Sequence, residues 1–174
     1  MWPFKKSPAK TQVAPTKRPI ENPVLEAAML LHRHEPSEKT VKDVGKAMLS
    51  ATFLLPVKND GLQLSEKGDS NIVRSGSSIQ FMHAMTTGGK AYLPVFTSRS
   101  ELERWAGADT YALIQKAPKV WERAMQGPEP MGVVINPANM PWTLESHHIQ
   151  QLIDDLRERQ WQTTPRPAPR MKKL

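Results

Sequence analysis

Tyr92-Leu93-Pro94-Val95-Phe96-Thr97-Ser98 and Gly132-Val133-Val134-Ile135-Asn136-Pro137 decide the fold. Each is a compact apolar run that stops abruptly, one at Thr-Ser and the other at Asn-Pro. A strand buried on both faces reads as a near-continuous apolar run and surfaces at turn residues. Two such strands call for one sheet with helices packed on it.

Working outward, Ser98-Arg99-Ser100-Glu101 has the form of a capping box, with Leu102, Trp105 and Ala106 as the buried stripe of the helix that follows. Ser78 to Met85 alternates, and Thr86-Thr87-Gly88-Gly89 turns it into Lys90 to Phe96 as an antiparallel hairpin. Thr52 to Val57 is another short apolar strand, and residues 58–77 form a polar loop or weak hairpin. Asn22-Pro23 opens a first helix as N-cap and first helical residue. Ser37 caps a second helix with Val41, Val44, Met48 and Leu49 on its apolar face. Thr110 to Ile114 is a weaker strand, and Lys116 to Gln126 a helix with Val120, Trp121, Ala124 and Met125 inward. Leu144 to Arg159 is an amphipathic helix with Thr143 as its cap. The expected fold class is α/β (α+β): one mixed sheet of about four to five strands with helices packed on it.

The chain has 174 residues and a net charge of +7, but the charge is not spread evenly. Residues 1–20 carry five cations and no acid, and residues 163–174 carry four cations and no acid. The remainder holds 15 basic and 17 acidic residues, so the folded body is nearly neutral. A nucleic-acid groove would concentrate cations on the folded surface instead. Eight of the 16 prolines fall in the two ends and the first helix entry. Residues 1–20 and 161–174 are expected to be disordered basic tails around a domain at 21–160. With no cysteine, disulfides, thiolate metal sites and a cysteine nucleophile are excluded. Apolar runs fall far short of the roughly 20 residues that span a bilayer. The start lacks an apolar signal core, so a cytoplasmic location is expected.

The segment Val95-Phe96-Thr97-Ser98-Arg99-Ser100-Glu101-Leu102-Glu103-Arg104-Trp105, followed by Gly132-Val133-Val134-Ile135-Asn136-Pro137, resembles the N-terminal domain of the enhanced-serine-sensitivity (SseB-type) proteins. The opening helix and Leu54-Leu55-Pro56-Val57 fit the same pattern, so the resemblance covers about residues 22–157. It implies a link to a serine-sensitivity phenotype and no agreed activity. Longer members carry a second domain, and none is expected after residue 160.

No Gly-x-Ser-x-Gly elbow, phosphate loop or HExxH motif is present. Thr87-Gly88-Gly89-Lys90 joins two strands, so it reads as a hairpin turn. His147 and His148 project about 100° apart on a helix and cannot easily share an ion. No catalytic residue, cofactor or metal site is expected. Phe96, Thr97, Ser98, Asn136 and Pro137 would gather where two strands leave the sheet. If those strands are parallel neighbours, Thr97, Ser98 and Asn136 either hydrogen-bond a small anion or peptide or satisfy local caps and turns. Trp142 and Trp161 lie outside the helical stripes and suit a protein-binding face. Lys5, Lys6, Arg170, Lys172 and Lys173 could hold nucleic-acid phosphates or a membrane surface. The leading expectation is a non-catalytic module that binds a protein partner. The alternatives are a ligand or enzymatic site at the Thr97-Ser98/Asn136 edge, and tail-mediated binding to nucleic acid or membrane.

Overall fold

The computed structural model describes the backbone of residues 12–14, 20–58, 64–67, 70–73, 79–126 and 131–163, and the side chains of 20–58, 79–126 and 131–158. The described elements are β1 (Gln12–Ala14), α1 (Pro23–His34), α2 (Glu38–Ser50), β2 (Thr52–Val57), β3 (Leu64–Lys67), β4 (Ser70–Val73), β5 (Ala84–Met85), β6 (Ala91–Val95), α3 (Arg99–Ala106), β7 (Tyr111–Lys116), α4 (Ala117–Ala124), β8 (Gly132–Ile135), β9 (Trp142–Leu144) and α5 (Ser146–Thr163).

The expected α+β class is what the chain adopts. Its strands fall into two sheets, ordered β2-β7-β1-β4-β3 and β5-β6-β8-β9. The sheets meet where Leu54 and Phe96 exchange both backbone hydrogen bonds, at 2.9 and 3.0 Å. The expected single mixed sheet is therefore present as two halves joined at that bridge. In the second half, β6 and β8 are parallel, with Leu93 opposite Val133 and Val95 opposite Ile135.

Strand alternation places the core. Phe53, Leu55 and Val57 join Leu93, Val95, Leu113, Val133 and Ile135 in one buried cluster, which α1, α2, α4 and α5 cover. Leu54, Phe96 and Ala112 point the other way and pack on Leu102 and Trp105 of α3. Trp121 lies fully in the larger cluster, edge-on to Phe53 at 5.7 Å. No helix among the described residues is long and apolar enough to cross a membrane.

Several local expectations change. Ser37 caps α2 as expected, with Thr40 N–H donating to its Oγ at 3.1 Å, and Thr40 completes a capping box. Ser98 makes no such bond: its hydroxyl pairs with that of Ser100, and Glu101 turns to Arg104 and Asn139. Thr143 is not a helix cap. It lies in β9, antiparallel to β8, and α5 starts at Ser146 with only the Glu145 carbonyl accepting from Ile149. The region Thr110–Ile114 is not marginal, because β7 pairs with β2 along six residues. The hairpin into β6 pairs only at Ala84–Met85, whereas Phe81 bridges to Val57. Gln12–Ala14 forms a strand within the segment expected to be disordered, and α5 continues to Thr163. The tail residues Lys5, Lys6, Arg170, Lys172 and Lys173 lie outside the described residues.

Candidate interaction site

At the carboxyl ends of β6 and β8 the chain turns polar, and those polar groups face one another. Asn136 N–H donates to the Val95 carbonyl at 3.0 Å, as the parallel ladder requires. The Asn136 side-chain amide then continues the ladder: Thr97 N–H donates to its Oδ1 at 3.1 Å. Its Nδ2 donates to Thr97 Oγ1 at 2.8 Å, and Thr97 Oγ1 donates to Glu26 Oε1 at 2.5 Å. Asn22 supplies the remaining partner. Its Nδ2 donates to the Thr97 carbonyl at 2.7 Å and the Thr52 carbonyl at 2.8 Å, while its Oδ1 accepts from Thr52 N–H at 3.0 Å. Asn22 thus makes no side-chain cap on α1 and ties three segments together. Every polar group of Thr97 is engaged within the protein, as buried groups require.

Phe96, Thr97 and Asn136 are buried, with Thr97 0% and Asn136 1% exposed. Ser98 and Pro137 are half-buried in the adjoining loops. Asn136 is the one non-glycine residue with positive φ among the described residues, at 49°, a conformation that Asn tolerates better than most. The strands are parallel neighbours, but their terminal side chains close on each other.

Trp142, the first residue of β9, pairs opposite Ile135 of β8 and meets His32 edge-on at 5.1 Å. It helps line an open groove of about 500 Å³ between α2, β9 and α5. Val41, Met48, Leu49, Leu144 and Leu152 form its apolar walls, with Lys42 and Lys46 on the α2 side and Asp155 on the α5 side. Val41 is 43% exposed there. The α2 periodicity had marked Val41 and Leu49 as one stripe with Val44 and Met48. They flank the buried face, and their width beyond what one neighbour covers was the usable signal. Trp161 lies on α5, with its side chain outside the described residues.

A third cluster lies on the second sheet. Tyr92 crosses Gly132 and donates its hydroxyl to Glu145 Oε1 at 2.6 Å, and Lys90 pairs with the other carboxylate oxygen and sits over the Tyr92 ring. The hydrogen bonds from Lys90 and then Tyr92 hold the Glu145 carboxyl below its ordinary 4.5, and the bond to Glu145 raises the Lys90 ammonium above 10.5. A carboxyl depressed by folding stabilises above its unfolded pKa and loses that contribution as pH falls through the folded one. Glu145→Gln should therefore lower the thermal midpoint at neutral pH, and the gap from the parent should close as pH drops below 4.5. A gap that persists at acid pH would mean that the carboxylate's charge plays no part. The His147 and His148 rings lie with centroids 3.9 Å apart and planes tilted by 44°.

The family model described as SseB protein N-terminal domain matches residues 25–151. The chain belongs to that family, as its β6–α3 and β8 motifs implied. No curated protein and no solved structure matches it.

Proposed function

We propose that this SseB-family domain is a non-catalytic module that binds a protein partner, and that the partner inserts an apolar-anchored peptide segment into the groove between α2, β9 and α5. The observation that carries this reading is the half-buried Trp142 set in an open apolar wall with Val41, Leu49 and Leu152. Aromatic anchors in apolar clefts supply most of the energy of peptide recognition. Lys42, paired with Glu38, and Lys46, paired with Asp43, border the groove on the α2 side, and Asp155 borders it on the α5 side. At the other candidate edge, the Thr97 and Asn136 side chains bond each other, the Thr97 hydroxyl donates to Glu26, the Thr97 N–H donates to Asn136, and the Thr97 carbonyl accepts from Asn22.

Selection from a displayed peptide library tests this. The intact domain should enrich peptides with closely spaced apolar residues. Val41→Glu, at an exposed helix position, should leave the thermal midpoint nearly unchanged and weaken those peptides by at least about tenfold. Enriched peptides that bind Val41→Glu and Trp142→Ala equally well would refute the groove as the docking site.

A further inference from the structure

Strand β9 closes one end of its sheet among the described residues. Successive residues of a strand turn their N–H and C=O groups toward opposite neighbours. Asn136 faces β6, where its N–H meets the Val95 carbonyl, and Val134, two residues before it, faces β6 as well. Val133 and Ile135 therefore face β9, opposite Leu144 and Trp142. That leaves Thr143 with its N–H and C=O directed away from β8. Thr143 is exposed, and neither group has a hydrogen-bond partner among the described residues.

This open edge borders the groove. Thr143 is one of the groove-lining residues, and Trp142 and Leu144 on either side of it turn their side chains to the core face of the sheet. An unpaired strand edge is a template for one more strand. A docked helix spends its own N–H and C=O groups internally and leaves both Thr143 groups unmet. An extended segment meets both. The residue opposite Thr143 shares its face of the sheet, so the residues on either side of that one place their side chains beside Trp142 and Leu144.

We propose that the groove takes its partner as an added β-strand: an extended segment pairs with Thr143 through its main chain, and two apolar side chains separated by one residue fill the groove. This rests on the groove between α2, β9 and α5 being the docking site, and adds main-chain recognition to it. A peptide selected on the intact domain and weakened by Val41→Glu is scanned twice. Alanine substitution should cost affinity at two positions separated by one residue. N-methylation of one peptide amide should weaken binding by at least about tenfold, and methylation of the amides next to it should be tolerated. Thr143→Pro removes the edge donor and should weaken the same peptide about tenfold. Its thermal midpoint should change little, because proline suits an edge position whose N–H faces solvent. Both peptide scans use the parent domain, so they stand even where that variant is destabilised. Alanine losses spaced three and four residues apart, with methylation harmful at every interior amide, would assign a helix to the groove and overturn the proposal. Methylation tolerated throughout would overturn it too. Self-association of the domain that Thr143→Pro abolishes would assign the edge to a second copy instead. If no enriched peptide depends on Val41, the groove itself fails as the docking site, and strand addition falls with it.

Discussion

Asn136→Ala should destabilise the domain by about 3 kcal/mol, one of the two largest effects expected here. The substitution removes the acceptor for Thr97 N–H and the donor to Thr97 Oγ1, both buried. A buried donor left without a partner costs about 1–3 kcal/mol, and alanine adds strain at φ 49°. Asn136→Gly separates the two causes, because it accepts the backbone angle but still loses both bonds. Chemical denaturation should rank the parent most stable, then Gly, then Ala. Equal stability of all three would show that the Thr97 groups find water or another partner. The neighbouring Thr97→Val tests the same network from its centre: it keeps the volume but removes the hydroxyl between Asn136 and Glu26.

The second large effect concerns Gly132. A β-carbon there would lie 2.5 and 2.6 Å from two Tyr92 ring atoms and 2.8 Å from the Leu144 carbonyl oxygen. The ring could swing away, but the carbonyl belongs to the β8–β9 ladder and cannot move cheaply. Gly132→Ala should therefore cost about 2–3 kcal/mol through overpacking. Because Tyr92 crosses this position to reach Glu145, the substitution should also break that hydrogen bond. A double-mutant cycle isolates the coupling. In a Tyr92→Ala background, Gly132→Ala should cost distinctly less, since only the carbonyl clash remains. Additive losses would place the whole penalty on the backbone of β9.

Strands β6 and β8 were legible in the sequence because both are buried on two faces and so lack polar interruptions. Helix α2 was legible for a different reason: its Ser37 cap has a partner only three residues away. Strand β9 was not. Trp142–Leu144 is three residues long, and its neighbours Pro141 and Glu145 carry no strand signal. The roles of Asn22 and Asn136 were half legible. Asn before Pro reads as a cap or a turn, and both residues do occupy such places. Their decisive partners, however, are 30, 75 and 39 residues away in the chain. Local pattern shows that a polar side chain has something to satisfy, but not across what distance. The groove was hidden for a similar reason, since Val41 and Trp142 are 101 residues apart in the chain and line one groove only in the folded domain.

Among the described residues, Leu54 and Phe96 form the reciprocal backbone pair between the two sheets, and the segment entering β5 adds a second bridge, from Phe81 to Val57. These few backbone hydrogen bonds make a thin seam. The halves behave as one body because consecutive residues of β2 face opposite layers: Phe53 and Leu55 enter the cluster under four helices, and Leu54 enters the one under α3. Strand β2 acts as a rivet through both layers. Its cohesion comes from side chains driven into hydrophobic material on either side, and the seam itself mainly sets alignment.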